Sequence, residues 1–314
     1  MPDADFRVKL SPRWTDYELL DSGSGRKLER FGPLTLIRPE AQATWGPAQS
    51  EMSWSAAHAE FIQPDRKKPG EWKFAQRVPS RWTMRRNSLV FCVELTPSGH
   101  IGVFPDQASH WDWLASLISS AAAVAPPKIL SLFGYTGLST LACAAAGAHV
   151  THVDASRKAI KWARENQSLS QLEDRHIRWL VDDAQTFVAR ELRRGRVYDG
   201  LILDPPRYGR GPQGELWKLA ESLPALLRQC RKLLSPKPLF VLLNTYTTVL
   251  TRRQTAAEAA QLHSFLQEML RDYPAAISSG ELFLSDSAGR QISNSVFARA
   301  EIQLRSLEKT APAR

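Results

Sequence analysis

The stretch that decides the fold is "KILSLFGYTGLSTLACAAAGAHVTHVDA", Lys128 to Ala155. It opens as an apolar strand, "KILSLF". A turn follows with glycines at 134 and 137, then a small-residue helix, "LSTLACAAAGA". A second strand, "HVTHVDA", closes on Asp154. Strand, glycine turn, helix and strand in succession predict a βαβ unit of a parallel sheet. In such open sheets the ligand lies beyond the carboxyl ends of the strands. Gly134 and Gly137 permit close backbone approach there, and the helix start beyond them offers free N–H groups. Asp154 stands where a carboxylate accepts hydrogen bonds from both hydroxyls of a ribose.

The alternation continues downstream. "SRKAIKWARENQSL" is an amphipathic helix with Ser156 as its N-cap. The strand "HIRWLVD" ends at Asp182 and Asp183, with Ala184 beside them, and a helix "AQTFVARELRRG" follows. A carboxylate at that strand end can accept a proton from an exocyclic amine such as adenine N6. The strand "YDGLILD" ends in Asp204-Pro205-Pro206. A helix is predicted from about Glu215 to Leu234, kinked at Pro224, then a strand "LFVLLN" and a helix from Gln254 to Leu270. Two late strands, "GELFLS" and "SVFARAEIQL", share the short connection "DSAGRQ" and predict an antiparallel pair at one edge. The fold class expected is α/β: a doubly wound, Rossmann-like, mostly parallel sheet with an antiparallel edge hairpin and a small β-rich N-terminal domain. The boundary falls between residues 1–105 and 106–314.

Upstream, the first hundred residues are rich in Trp, Pro and Arg. They carry short alternating runs, "LTLIRP" and "LVFCVEL", and turn signals at "DSGSG", "KKPGEW" and "TPSGH". "RKKPGEWKFAQRVPSRWTMRR", Arg66 to Arg86, holds eight basic residues and one acid, with Trp72, Phe74 and Trp82 among them. Its cations can neutralise phosphates while the rings stack on bases, which marks Lys73, Arg77, Arg81, Arg85 and Arg86 as RNA contacts. The competing reading is a hairpin with core aromatics and solvated charges.

The whole chain has 314 residues, a net charge of +9 and a pI near 9.6. That charge favours an anionic partner, nucleic acid first. No apolar run reaches membrane-spanning length. "MPDADFRVKL" lacks the basic start and apolar stretch of a signal peptide. Cys92, Cys143 and Cys230 form neither a disulfide framework nor metal-ligand spacing. A cytoplasmic protein without a metal is expected. A dinucleotide cofactor would need a third glycine after G-Y-T-G, and none is in place. An acid-rich pocket suits a nucleoside carrying cationic groups instead, which S-adenosylmethionine is.

"LSLFGYTGLSTLACAAAGAHVTHVDASRKAIKWARENQ", "VDDAQTFV" and "DGLILDPPRYG" together resemble the class I S-adenosylmethionine-dependent methyltransferases. More narrowly, they resemble the bacterial family of large-subunit ribosomal RNA cytosine-C5 and guanine-N7 methyltransferases. "GHIGVFPDQ", Gly99 to Gln107, is similar to that family's T-G-x-F-x-D-Q stretch, and "DSAGRQISNSVFARAE" is also familial. The resemblance covers about Gly99 to Glu301. It implies that Phe133, Gly134, Tyr135, Thr136 and Gly137 wrap the methionine end, and that Asp154, with Ala155 beside it, holds the ribose. It implies that Asp183, between Asp182 and Ala184, faces the adenine amine. Phe104, Pro105 and Gln107 would border the cofactor, and Asp204, Pro205 and Pro206 would face the methyl group and target. The implied partner is RNA, ribosomal RNA first.

What Asp204 must do depends on the acceptor atom. For an exocyclic amine, acceptors such as the Asp204 carboxylate and the Pro205 carbonyl hold the hydrogens and free the lone pair. Guanine N7 needs only to be held in line. Cytosine C5 needs a thiolate to add at C6 first. Family members that methylate C5 carry that cysteine after the fifth strand or directly after D-P-P. Here those places hold Tyr246 and Arg207. The three cysteines read as small buried hydrophobes, so C5 is disfavoured. Tyr208 and Tyr246 are candidates for stacking on an extruded base, and Arg207 for holding phosphate. Two rival readings stand beside this one: a methyltransferase for a protein or small molecule, and a non-catalytic RNA-binding module.

Overall fold

The computed structural model describes residues 6–63, 70–246 and 252–302. Residues 66 to 69 of the basic stretch lie outside them. The chain opens with strand β1 (Phe6–Leu10). A front sheet follows, built in order from β2 (Tyr17–Gly23), β3 (Arg26–Phe31), β4 (Leu34–Pro39), β5 (Ala59–Ile62) and β6 (Glu71–Phe74). The short helix α1 (Glu51–Ser55) lies between β4 and β5. A hairpin, β7 (Arg81–Arg86) with β8 (Leu89–Glu94), completes the region.

A 3₁₀ turn (Pro105–Gln107) leads into helix α2 (Ala108–Ala122). The alternation expected from the sequence then appears: β9 (Lys128–Leu132), α3 (Leu138–Ala145), β10 (His149–Asp154), α4 (Arg157–Leu169), β11 (Ile177–Val181), α5 (Ala184–Arg193) and β12 (Gly200–Leu203). After them come β13 (Tyr208–Arg210), β14 (Leu216–Lys218), α6 (Leu219–Arg231), β15 (Phe240–Tyr246), α7 (Arg252–Met269), β16 (Ala275–Ser285) and β17 (Gln291–Ile302).

The large sheet runs β1-β16-β17-β15-β12-β9-β10-β11. Its neighbours are parallel except for β16 with β17 and β17 with β15. The late antiparallel pair therefore forms, but it does not lie at the edge as expected. Beyond it, β1 pairs in parallel with β16 and covers the long edge that this strand would otherwise expose.

The central strands are buried on both faces, as a parallel sheet requires. Leu130, Leu132, Leu201, Leu203 and Leu243 face Phe187, Leu226 and Leu266 of α5, α6 and α7. The alternate residues Ile129, Ile202 and Leu242 meet Leu114 and Ile118 of α2 and Cys143 of α3. A third core joins Phe31, Met84 and Phe91 of the front region to Trp111 of α2 and Leu138 and Leu141 of α3. The front region is thus fused to one helix layer of the large sheet.

One expected element differs. The helix predicted from Glu215 begins at Leu219, and Leu216–Lys218 pairs as a strand with Tyr208–Arg210. Trp217 explains the register. It is 5% exposed and its indole N–H donates to the Pro206 carbonyl at 2.7 Å, so the chain is folded back on the Asp204 loop.

Candidate active site

The glycine turn after β9 is held rather than flexible. Gly134 N–H donates to Val153 O, and Gly137 N–H to Gly134 O. Asn166 of α4, fully buried, donates its amide to Thr136 O at 2.9 Å, and the Thr136 hydroxyl donates to Gly102 O at 2.7 Å. Phe133 and Tyr135 have φ of 58° and 49°, left-handed values that cost L-residues roughly 1–2 kcal/mol each. A Cβ at Gly134 would lie 2.2 Å from Cε1 of His152, so no other residue fits. His152 is itself buried, paired through Nδ1 with Thr140 at 2.8 Å, and burial pushes its pKa down to about 3.

Asp154 sits at the end of β10, facing this turn. One oxygen accepts the Tyr135 N–H and the other the Ser156 N–H, both at 2.8 Å. Burial raises its pKa, and the two N–H donors oppose the rise. Each oxygen keeps a second lone pair for a ribose hydroxyl. Ala155 follows it at the strand end.

Asp183 is the N-cap of α5, accepting from Thr186 N–H at 2.8 Å. It therefore carries a structural duty whatever else it touches. Asp182 is ion-paired with Arg190, and Ala184 is buried at the helix start.

Asp204 lies between two amides: Gln107 donates to Oδ2 at 2.7 Å and Asn244 to Oδ1 at 2.8 Å. Burial pushes its pKa up to about 6, against those two donors and with help from the nearby Asp106. Asp106 is almost fully buried, its Oδ2 accepting from the Ser295 hydroxyl at 2.8 Å. Asn244 Oδ1 and the Tyr246 hydroxyl are buried with no partner among the described residues. Phe104 joins the two halves of the site. Its ring centroid is 5.6 Å from Tyr135 on the turn and 4.8 Å from Tyr246 at the end of β15. Pro105 is buried beside it.

The structure therefore brings together residues that the sequence scatters: Phe104 with Tyr135, and Gln107 with Asp204. Sequence reasoning missed Asn244, His152 and Asp106. An Asn inside the otherwise apolar "FVLLN" was the available signal, since a buried polar residue needs a reason.

The basic residues divide. Arg86 is buried, and its guanidinium grips Asp112 at 2.8 and 2.7 Å between Trp14 and Trp111. It spends its fork inside the fold rather than on a phosphate. Arg81 is paired with Glu165 and Glu94 over Trp162. Arg207 donates to Tyr246 O and to Glu258 at 2.9 and 2.7 Å. Lys73, Arg77 and Arg85 are exposed. Trp72 and Trp82 pack inward, donating to Thr96 O and Phe31 O, whereas Phe74 is 59% exposed. Pro206 and Tyr208 are exposed, Tyr208 at 78%. All three cysteines are free and buried, and burial raises each thiol pKa.

The donor set fits S-adenosylmethionine. A glycine cradle that a Cβ would fill lies beside a carboxylate with ribose-binding capacity, and more carboxylates line the strand ends toward a cationic group.

The comparisons agree. The family model for S-adenosylmethionine-dependent methyltransferases matches residues 38–277. A crystal structure of a SAM-dependent methyltransferase from Agrobacterium tumefaciens is 40% identical, with a TM-score of 0.87 over 94% of this chain and 93% of that one. The ribosomal RNA large subunit methyltransferase I of Shewanella frigidimarina is 26% identical over 126 residues, 40% of this chain and 30% of that protein. The ribosomal RNA large subunit methyltransferase K/L of Hahella chejuensis is 27% identical over 180 residues, 56% of this chain and 24% of that protein. The chain thus spans less than a third of either curated relative. Among the described residues no helix is long and apolar enough to cross a membrane. The chain belongs to the S-adenosylmethionine-dependent methyltransferase family.

Proposed function

We propose that the protein methylates a base of RNA, ribosomal RNA first, in the cytoplasm and by direct transfer without a covalent protein–base intermediate. The observation that carries this reading is the setting of Asp204. It stands between Gln107 and Asn244 beside the glycine turn, and the two places where a cysteine nucleophile is expected hold Arg207 and Tyr246. The charge of +9 and the ribosomal RNA relatives support RNA as the substrate.

When bound, S-adenosylmethionine supplies an electrophilic methyl group on a sulfonium. The chain's own residues position and hold. Asp154 holds the ribose hydroxyls, Phe133 to Gly137 enclose the methionine end, and Asp183 faces the adenine amine while capping its helix. Asp204 and the free Oδ1 of Asn244 orient an acceptor amine, holding its hydrogens so that its lone pair points along the transfer axis. Pro205 and Pro206 fix the loop and leave fewer N–H groups to compete for these acceptors. Tyr208 offers an exposed ring to RNA, while Lys73, Arg77 and Arg85 are free to meet phosphates.

Nucleoside mass spectrometry of ribosomal RNA from cells with and without the gene tests this. One methylated base other than 5-methylcytidine should be lost with the gene. Loss of 5-methylcytidine, or an unchanged profile, contradicts the reading.

A further inference from the structure

A cavity of about 440 Å³ lies between the front sheet and the carboxyl edge of the large sheet. Its front wall carries two ion pairs. Lys27 Nζ lies 3.2 Å from Glu40 Oε2, and Arg38 grips Glu29 through Nε and Nη2 at 2.8 and 2.9 Å. Lys27, Glu29 and Glu40 are each less than a tenth exposed. The opposite wall is Phe104 and Tyr246, the ring pair that also adjoins the glycine turn.

Ion pairs at this depth add little stability, because dehydration offsets their attraction. Apolar residues would fill the same place as well. What the pairs provide is spare donors. An ammonium has three N–H groups, and Lys27 gives one to Glu40. Arg38 keeps N–H groups beyond those it gives to Glu29 and to Gly99 O. Asp106 lines the same cavity, so two cations face three carboxylates and leave no excess positive charge for a phosphate. They suit a neutral ligand with a strong acceptor. Across the cavity the Tyr246 hydroxyl lacks a partner among the described residues.

We propose that this cavity receives the acceptor base, with its ring against Phe104 and Tyr246 and a ring carbonyl oxygen on Lys27 and Arg38. The front sheet then supplies the residues that select the base, while the large sheet supplies those that position the cofactor. The base as ligand rests on the RNA reading above; the choice of a carbonyl edge rests on the cavity. Guanine and cytosine carry such an oxygen together with an exocyclic amine for Asp204; uracil carries the oxygen alone. Adenine has no such oxygen; it offers only ring nitrogens, and would satisfy the buried donors of Lys27 and Arg38 less well.

The test is binding of the four nucleosides to protein saturated with S-adenosylhomocysteine, followed by ligand-observed NMR. Uncharged nucleosides keep phosphate away from the two cations, and saturation keeps adenosine out of the cofactor site. At least one of guanosine, cytidine and uridine should bind about tenfold tighter than adenosine. Lys27→Gln with Glu40→Gln replaces the ion pair by two amides. It should reduce that preference severalfold, since Arg38 remains, and leave S-adenosylhomocysteine affinity unchanged, and Tyr246→Ala should lose all four nucleosides. If the double variant does not fold, as its cofactor titration would report, Lys27→Arg must shift the preference instead. Adenosine binding as tightly as the rest, no nucleoside binding at millimolar concentration, or an unchanged preference in these variants overturns the proposal. Methylation of ribosomal RNA is measured alongside. RNA methylated equally, with equal KM, by wild type and the double variant rejects the cavity and keeps the RNA function. Nucleoside selection with no RNA methylated rejects the function and keeps the cavity.

Discussion

The two halves of the site are built in opposite ways. The half proposed for the cofactor is local: the turn from Phe133 to Gly137, Asp154 and Asp183 all lie on the run from β9 to the start of α5, and backbone N–H groups of nearby residues hold both aspartates. The half proposed for the acceptor draws on distant segments: Lys27 and Arg38 from the front sheet, Phe104 and Asp106 from the turn before α2 and Tyr246 from β15 line the cavity, and Gln107 and Asn244, next to that lining, hold Asp204 just after β12. A strained turn fixed by its neighbours suits an invariant ligand. A chamber walled by several elements can change its selectivity one side chain at a time.

The largest effects should come from the cofactor half. Asp154→Ala removes the ribose acceptors and should weaken S-adenosylhomocysteine binding about a hundredfold or more, read by calorimetry. Gly134→Ala drives a methyl group into the His152 ring. It should abolish cofactor binding and destabilise the fold by about 1–3 kcal/mol in a denaturant titration. Normal binding in either variant would mean that the turn is not the cofactor's cradle.

The acceptor half should respond to pH instead. The folded-state pKa of Asp204 is pushed up to about 6, so the folded chain holds a proton that the unfolded chain releases. The stability from this group is complete below about pH 4 and is lost as pH rises through about 6, amounting to about 3 kcal/mol at most. Turnover should move the other way, rising as the carboxylate ionises to hold an amine. Asp204→Asn should flatten that rise in kcat while leaving cofactor affinity intact. A wild-type profile flat from about pH 5 to 8 would remove the carboxylate from the mechanism.

Smaller effects separate the arginines. Arg86→Met breaks a pair with one buried partner and should cost about 1–3 kcal/mol of stability, seen in thermal unfolding. Arg85→Ala should leave stability within about 0.5 kcal/mol and weaken RNA binding, with a shallower salt dependence. Asp183→Ala loses a helix cap worth about 1 kcal/mol. Asp183→Asn keeps the cap, so any loss of cofactor affinity in that variant reports on the adenine contact.

The same contrast explains what the sequence made legible. Strand ends and their acids show themselves because hydrophobic runs and helix caps are local signals. Asp154, Asp204 and the antiparallel β16–β17 pair could all be placed that way. β1 could not, because nothing in "FRVKL" names a partner some 270 residues away. The β13–β14 hairpin hid behind helix-forming residues, its register fixed by the buried Trp217. Trp82 and Arg86 looked like RNA contacts because composition does not tell an inward face from an outward one. Exposed and buried residues alternate along β7, and Trp82 and Arg86 both fall on its buried face.

The central claim is that Asp204 positions an acceptor for direct methyl transfer. Its most direct test is transfer of labelled methyl from S-adenosylmethionine to ribosomal RNA taken from cells lacking the gene, by wild type and by Asp204→Ala, each first shown to bind S-adenosylhomocysteine. The account predicts a labelled base for wild type and none for Asp204→Ala at equal cofactor affinity. Full labelling by Asp204→Ala, or a protein–RNA adduct trapped through a cysteine, would contradict it.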